Sequence, residues 1–177
     1  KDIMGKKNRE TGLLSRSGNL ALAAGGIIAG LLICRILIIP CRIGETSMSP
    51  SLNNGSIAFF LRFGTLHRGR VVLLKSPVEK GRIITRRIIA LPGDGVEIRD
   101  RLILVNDAPL SDPWVPRSND SRSLPMNLTG RDTMPYIKLN NDQVFVMGDN
   151  WEESYHRRGF GPVPRRLVKG TLFHVIR

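Results

Sequence analysis

One apolar run near the start of the chain limits the fold more than any other feature. Residues 20–39 contain a single charged side chain, Arg35, among Leu, Ile, Ala, Gly and Cys. A transmembrane helix needs about 20 mostly apolar residues, and a long basic side chain near its end reaches the headgroup layer. The run therefore predicts one transmembrane anchor over residues 20–39.

The residues on either side of this run indicate whether the segment is an uncleaved anchor or a cleaved signal peptide. A cleaved signal peptide also combines a basic start with an apolar middle, but residues 36–43 resemble a β-strand and not a small-residue cleavage site. Residues 1–19 carry five basic and two acidic side chains. We expect an uncleaved single-pass anchor, with a mobile, basic, cytoplasmic tail at residues 1–19 and the main domain on the opposite side.

The length and net charge of the chain limit the classes of partner that it is expected to bind. The chain has 177 residues and a net charge of +12, which favours one domain and anionic partners. One alternative function is therefore a basic module for anionic lipid or nucleic acid. No nucleic-acid motif occurs and the aromatic residues are not interleaved with the basic pairs, so nucleic acid is not expected. Cys34 and Cys41 form neither a zinc pattern nor a disulfide framework, and we expect both to be unpaired.

Beyond residue 39 the pattern is that of a β protein. Short apolar or β-branched runs alternate with turn sequences such as Asn-Gly and Pro-Gly-Asp-Gly, and no sustained helical period appears. Residues 40–177 therefore predict a mainly β domain, an antiparallel sheet or open barrel. Residues 111–141, rich in Pro, Ser, Asn and Asp, predict a loop-rich insertion. The expected strands are residues 36–43, 57–61, 71–74, 82–91, 96–98, 102–105, 144–147 and 172–176.

A serine-centred motif follows the anchor directly. Ser47 precedes Met48, Pro50 and Leu52 and lies within a few residues of the predicted membrane surface. So short a motif also occurs in ordinary loops, where Ser47 would be one polar turn residue. Two further blocks follow in order: Arg86-Arg87-Ile88-Ile89-Ala90-Leu91-Pro92-Gly93-Asp94, and Val144-Phe145-Val146-Met147-Gly148-Asp149-Asn150 with Ser154 and Arg158 after it.

Together these blocks resemble type I signal peptidases, the S26 family of serine endopeptidases with a Ser/Lys dyad. The resemblance covers about residues 35–177 and implies an antiparallel β fold with an apolar, membrane-facing patch beside the active site. It implies that Ser47 holds the nucleophile position, that Ser154 supports the base, and that Met48 and Pro50 belong to the binding region. It implies no metal and no cofactor.

Two departures make the chain a divergent member of that family. The family's general base is a lysine, and that position here is Arg86, which stays protonated and has no lone pair to accept a proton. In the oxyanion region, formed by Glu45 and Ser47, the family often has Ser or Gly where this chain has Glu45. An ionised carboxylate there opposes a developing oxyanion. We expect Glu45 to pair with Arg86, and Ser47 to lie within side-chain reach of Arg86 on a neighbouring strand.

Two functions follow from these departures. The first is a membrane-anchored, signal peptidase I-like pseudoenzyme, inactive or impaired, that serves as a binding or structural subunit. The alternative is an active serine endopeptidase that removes signal peptides with Ser47 and a substitute base. His156 is the best candidate base because imidazole titrates near neutrality, although a solvated loop histidine is the simpler interpretation. Lys75 and Lys80 are further options that we expect to be exposed.

The expected partners are membrane lipid and signal-peptide-like or membrane-protein partners. The resemblance favours the bacterial inner membrane, with an organelle membrane as the alternative.

Overall fold

The computed structural model describes residues 3–114, 133–150 and 161–176, with side chains from Asn19 onward. The chain forms two compact units that divide between Ile38 and Ile39. The first unit is helical and the second is the β domain. Mainly antiparallel β structure after one N-terminal apolar helix confirms the fold class that the sequence predicts.

One long helix, α1, accounts for the first unit. It spans Ile3–Leu37, so it includes most of the segment expected to be a mobile tail, and residue 19 lies inside a continuous helix. Lys, Arg, Glu, Leu and Met favour helix, and no proline interrupts the segment. Asn19–Leu37 has a mean hydropathy of 2.3 and none of its side chains is buried. This part of α1 is therefore long and apolar enough to cross a membrane.

Eleven strands and one short 3-10 helix were assigned in the described residues. Seven strands form one sheet in the order β1-β2-β11-β3-β4-β9-β10, and four form a second in the order β7-β6-β5-β8. The strands are β1 (Ile38–Arg42), β2 (Ile57–Leu61), β3 (Val71–Lys75), β4 (Ile83–Ala90), β5 (Gly95–Arg99), β6 (Leu102–Val105), β7 (Ala108–Pro109), β8 (Met134–Lys138), β9 (Gln143–Met147), β10 (Gly161–Pro164) and β11 (Val168–Ile176), with the 3-10 helix at Arg165–Leu167.

The turn chemistry of the sequence accounts for the tight hairpins. Asp100 and Arg101 both have positive φ, 48° and 66°, and connect β5 to β6. Two successive residues with positive φ match the right-handed twist of the flanking strands. The tip of this hairpin is therefore Asp100-Arg101.

The expected loop-rich insertion at residues 111–141 needs a correction. Its last part forms β8, which pairs with β5. The sequence hid this strand because Pro135 interrupts it. A proline lacks the N–H that a central strand must donate, but it is tolerated at a sheet edge, and β8 is an edge strand.

A hydrophobic cluster under β2 and β3 holds the serine-containing turn in place. Met48 and Leu52 are 0% and 1% exposed, so the turn inserts two large side chains into the domain. At about 1.5–3 kcal/mol for each buried side chain of this size, they fix the turn against the sheet. The buried members of the cluster are Ile43, Met48, Leu52, Ala58, Phe60, Val71 and Leu73.

We expect Gly170→Ala to destabilise the domain. A Cβ added there would lie 2.9 Å from the Leu61 carbonyl oxygen and 3.1 Å from Phe60 Cβ, where the pairing of β11 is irregular. Overpacking against backbone costs about 1–3 kcal/mol. The measurement is denaturant unfolding of the full chain in detergent. Gly44→Ala is the matched control, since nothing lies within 4 Å of its added Cβ; equal effects of the two substitutions would contradict the packing account.

Candidate active site

Ser47 lies in a turn after β1, held from both sides by backbone hydrogen bonds. The N–H of Ser49 donates to the Thr46 carbonyl and that of Leu52 to the Met48 carbonyl, at 3.0 and 2.8 Å. The N–H of Asn150, beyond β9, donates to the Ser47 carbonyl at 2.9 Å. We expected Ser47 to lie on a strand next to that of Arg86. This detail was wrong, because Ser47 lies in a turn.

Strand β4 brings Arg86 to the serine. Arg86 Nη1 donates to Ser47 Oγ at 2.8 Å and to the Thr85 carbonyl oxygen at 2.6 Å. The Arg86 side chain is 4% exposed. The two residues are therefore within side-chain reach of each other, as the order of the sequence blocks predicts.

Glu45 completes the expected ion pair. Its Oε2 lies 3.1 Å from Arg86 Nη1 and accepts a hydrogen bond from Ser47 Oγ at 3.0 Å. Ser47 thus receives a hydrogen bond from the guanidinium and donates its own hydroxyl hydrogen to the carboxylate. A buried cation of this kind needs such partners, because an unpaired charge in the interior is costly.

A second arginine, Arg82, also binds Glu45 and was not anticipated from the sequence. Arg82 Nη2 lies 3.0 Å from Glu45 Oε1, and its Nη1 lies 2.7 Å from both carboxylate oxygens of Glu79. The spacing carried this signal: Arg82 immediately precedes β4, and Arg82, Ile84 and Arg86 are two residues apart, a spacing that puts side chains on one face of an extended segment.

These contacts decide the charge of Glu45. Its partial burial alone would raise the pKa of the carboxyl group. The hydrogen bond and charge of Arg86, with hydrogen bonds from Ser47 and Arg82, outweigh burial and lower the pKa below its ordinary value. Glu45 is therefore an ionised carboxylate at neutral pH, and its lowered pKa makes it a weak base.

The next residue, Arg87, points to the opposite face of β4 and secures the turn. Its Nε donates to Asp149 Oδ1 at 2.7 Å, and its Nη2 donates to Ser51 Oγ at 3.1 Å. Asp149 follows β9, so one guanidinium connects β9 to the serine turn. Because side chains alternate along the strand, the two adjacent arginines make separate contacts: Arg86 contacts the Ser47 hydroxyl, and Arg87 contacts the turn that carries it.

The other candidate residues divide into three groups. Met48 is fully buried in the core, whereas Pro50 is exposed at the surface of the turn. Lys75 and Lys80 are both exposed, as expected for a strand end and a loop. Ser154 and His156 lie outside the described residues, together with the rest of residues 151–160.

Comparisons with known proteins identify similar chains. A family model described as signal peptidase, peptidase S26, matches residues 16–176. Signal peptidase I of Bacillus licheniformis is 32% identical over 151 residues, which cover 82% of this chain and 80% of that relative. Mitochondrial inner membrane protease subunit 1 of Mus musculus is 26% identical, over 98% of this chain and 85% of its own length.

A solved structure is also similar. It is a signal peptidase I from Enterococcus faecalis V583, with 25% identity and a TM-score of 0.46, covering 62% of this chain and 98% of that one.

We expect Glu45→Gln to destabilise the protein at neutral pH by about 1–3 kcal/mol, since it leaves Arg86 buried without its counter-charge. The pKa of Glu45 is lowered in the folded state, so its contribution is full above the ordinary pKa of a glutamate, about 4.3. It is lost as the pH falls through the lowered value. Denaturant unfolding of both proteins between neutral and acidic pH measures this difference.

Glu97→Gln is the control for this measurement. It removes the carboxylate partner of Arg99, whose side chain is 63% exposed, and exposed pairs contribute only about 0–1 kcal/mol. A Glu45→Gln effect no larger than the control, or one that grows as the pH falls, would contradict a buried, ionised pair.

Proposed function

The chain belongs to the signal peptidase family, peptidase S26, and we propose that it is a membrane-anchored member with little or no peptidase activity that acts as a binding or structural subunit. The 2.8 Å hydrogen bond from Arg86 Nη1 to Ser47 Oγ carries this proposal. A guanidinium stands where a base would have to take the serine proton, and it can only donate hydrogen bonds.

The position of Glu45 adds a second obstacle to hydrolysis. Attack by Ser47 would place an oxyanion near a carboxylate that is held ionised by Arg82 and Arg86. A general base contributes about 10²–10⁴-fold to a rate, and one oxyanion donor about 10²–10³-fold. Losing both would reduce signal-peptide cleavage to background.

Two features favour a binding or structural role for the retained scaffold. The buried turn and its Arg87–Asp149 connection keep the serine region ordered without a base. One similar protein bears the name of a protease subunit, mitochondrial inner membrane protease subunit 1. We propose that this chain likewise works with a membrane-protein or signal-peptide-like partner.

Membrane lipid is the second partner that we propose. The outward side of β2 and β11 exposes large apolar side chains: Ile57 is 44% exposed, Phe173 63% and Ile176 51%. Phe63, just after β2, is 77% exposed. Ile57 and Ile176 are cross-strand partners, and exposed apolar side chains that lie together are typical of protein or membrane contact.

An active peptidase is the second candidate function, favoured by one observation. Ser47 Oγ lies 3.0 Å from Glu45 Oε2, within the distance at which a carboxylate could take the proton as general base. The lowered pKa of Glu45 weakens this role, because a base of low pKa transfers a serine proton poorly. His156, the substitute base predicted from the sequence, lies outside the described residues and stays a prediction.

We expect the unmodified protein in detergent to cleave a preprotein no faster than Ser47→Ala. Arg86→Lys alone should recover little, because a lysine beside ionised Glu45 is held protonated. Arg86→Lys with Glu45→Ser should recover more than the product of the two single gains, since the two sites share one ion pair. The measurement is the cleavage rate of the unmodified protein, of Arg86→Lys, of Glu45→Ser and of the double variant, each compared with its Ser47→Ala counterpart.

A matched double substitution, Arg99→Lys with Glu97→Ser, exchanges an exposed pair on β5 in the same way and should leave cleavage at background. Cleavage by the unmodified protein that Ser47→Ala abolishes would overturn the inactive assignment. Loss of that cleavage in Glu45→Gln or in His156→Ala would then identify the substitute base.

The proposed orientation puts the N-terminus in the cytoplasm and the β domain on the opposite side, following the basic residues before the anchor. We expect Leu102→Cys, at a hairpin position that is 61% exposed, to react with impermeant maleimide added from the non-cytoplasmic side, in a Cys34→Ser, Cys41→Ser background. Ser17→Cys should react only after permeabilisation. The reverse pattern would refute this orientation.

A further inference from the structure

The guanidinium of Arg87 joins three separate segments at the turn that carries Ser47. It donates to both carboxylate oxygens of Asp149 after β9, to the Gly69 carbonyl oxygen at 2.6 Å and to Ser51 Oγ at 3.1 Å. The side chains of Arg87 and Asp149 are only 10% and 6% exposed. Because a buried charge depends on its partners, a change that brings water to this guanidinium weakens its hold on the turn.

The ring of Trp114 lies beside this guanidinium. Arg87 Cζ is over the ring, 6.0 Å from its centroid, a distance at which a guanidinium is attracted to the face of an indole. The ring also packs on Gly69, which has a φ of 81°. A Cβ added to Gly69 would lie 2.7 Å from Trp114 Cε2, so glycine at this position leaves the space that the indole occupies.

Trp114 reaches Arg87 from the second sheet. The chain leaves β7 at Pro109, and the N–H of Leu110 still donates to the Ile103 carbonyl of β6 at 2.8 Å. Leu110 and Trp114 both pack against the core cluster that contains side chains of the two sheets. The loop-rich segment that follows β7 therefore begins with a contact to the guanidinium that holds the serine turn.

The ring affects the guanidinium in two ways. It attracts the cation through its π face, and it excludes water, which strengthens the hydrogen bonds from Arg87 to Asp149 and Ser51. Without the ring, water would compete for the same N–H groups. Met48 and Leu52 would still anchor the turn, because both side chains are buried in the core. The expected effect is therefore a local loosening of the turn and not unfolding of the domain.

We propose that Trp114 is a positioning residue for the turn that carries Ser47, and that it acts through Arg87. It keeps the guanidinium in contact with Asp149 and Ser51, and so connects the second sheet to the serine turn. The inference goes beyond the proposed function. It holds for a binding subunit and for a peptidase alike, because both need the turn in place.

The test measures how readily the turn opens, by amide hydrogen exchange of the full chain in detergent. The reporters are the amides of Leu52 and Asn150, which donate to carbonyl groups of the turn, and the reference is the amide of Asn106, which donates within the second sheet. Trp114→Leu should speed exchange of the two reporters by about two- to thirtyfold relative to the reference, the range that one cation–π contact accounts for.

Two variants separate the cation–π contact from a general packing effect. Trp114→Phe keeps an aromatic face and should speed exchange less than Trp114→Leu does. Tyr136→Leu removes another half-exposed ring that packs on a glycine, Gly95, and should leave the reporters in the turn unchanged. An equal rise at the reporters and the reference, or equal effects of Trp114→Phe and Trp114→Leu, would contradict the positioning role.

A double-mutant cycle tests whether the effect passes through Arg87. Ser51→Ala removes the hydrogen bond from Arg87 Nη2 to the turn at an exposed position. Trp114→Leu should then speed Leu52 exchange less than it does in the unmodified protein, because the two changes weaken the same connection. The milder Trp114→Phe can be carried through the same cycle. The same acceleration with and without Ser51→Ala, or no acceleration at all, would overturn the inference.

Discussion

The ion pair between Arg86 and Glu45 is the interaction on which the chemistry of this protein depends. A guanidinium that is 4% exposed needs an anion and hydrogen-bond acceptors nearby. Glu45, Ser47 and the Thr85 carbonyl supply them. The same residues that stabilise the buried arginine also engage the serine hydroxyl, which donates to Glu45 and accepts from Arg86. The contacts that stabilise the buried charge are therefore the same contacts that hold the Ser47 hydroxyl, and a change in Arg86 or Glu45 alters the surroundings of the other.

The scaffold around this pair is built to hold it in place. Strand β4 sends Arg86 to one face and Arg87 to the other, and Arg87 reaches Asp149 beyond β9 and Ser51 in the serine turn. Met48 and Leu52 anchor the turn in the core. These contacts hold the turn that carries Ser47 against the sheet.

The sequence predicted the parts of the structure that depend on local pattern. Strands β2 and β6 match the expected bounds, since short apolar runs end there at clear turn signals. The Glu45–Arg86 ion pair was predicted because the two charges are opposite and the family resemblance places their two sequence blocks in one site. The sequence missed β8, because its pairing with β5 is a long-range contact and Pro135 obscures the strand pattern. It also missed Arg82, because its role depends on the position of Glu45, 37 residues earlier.

The ionisation of Glu45 tests the central claim most directly, because that claim is that Arg86 and Glu45 form a fixed ion pair and not an acid–base couple. The pKa of Glu45 can be measured from the pH dependence of its carboxyl ¹³C chemical shift in the full chain in detergent, assigned with Glu45→Gln. The account predicts a pKa below the ordinary glutamate value of about 4.3, and a clear rise in Arg86→Met. A pKa raised toward neutrality, unaffected by Arg86→Met, would contradict it and would identify Glu45 as a working general base.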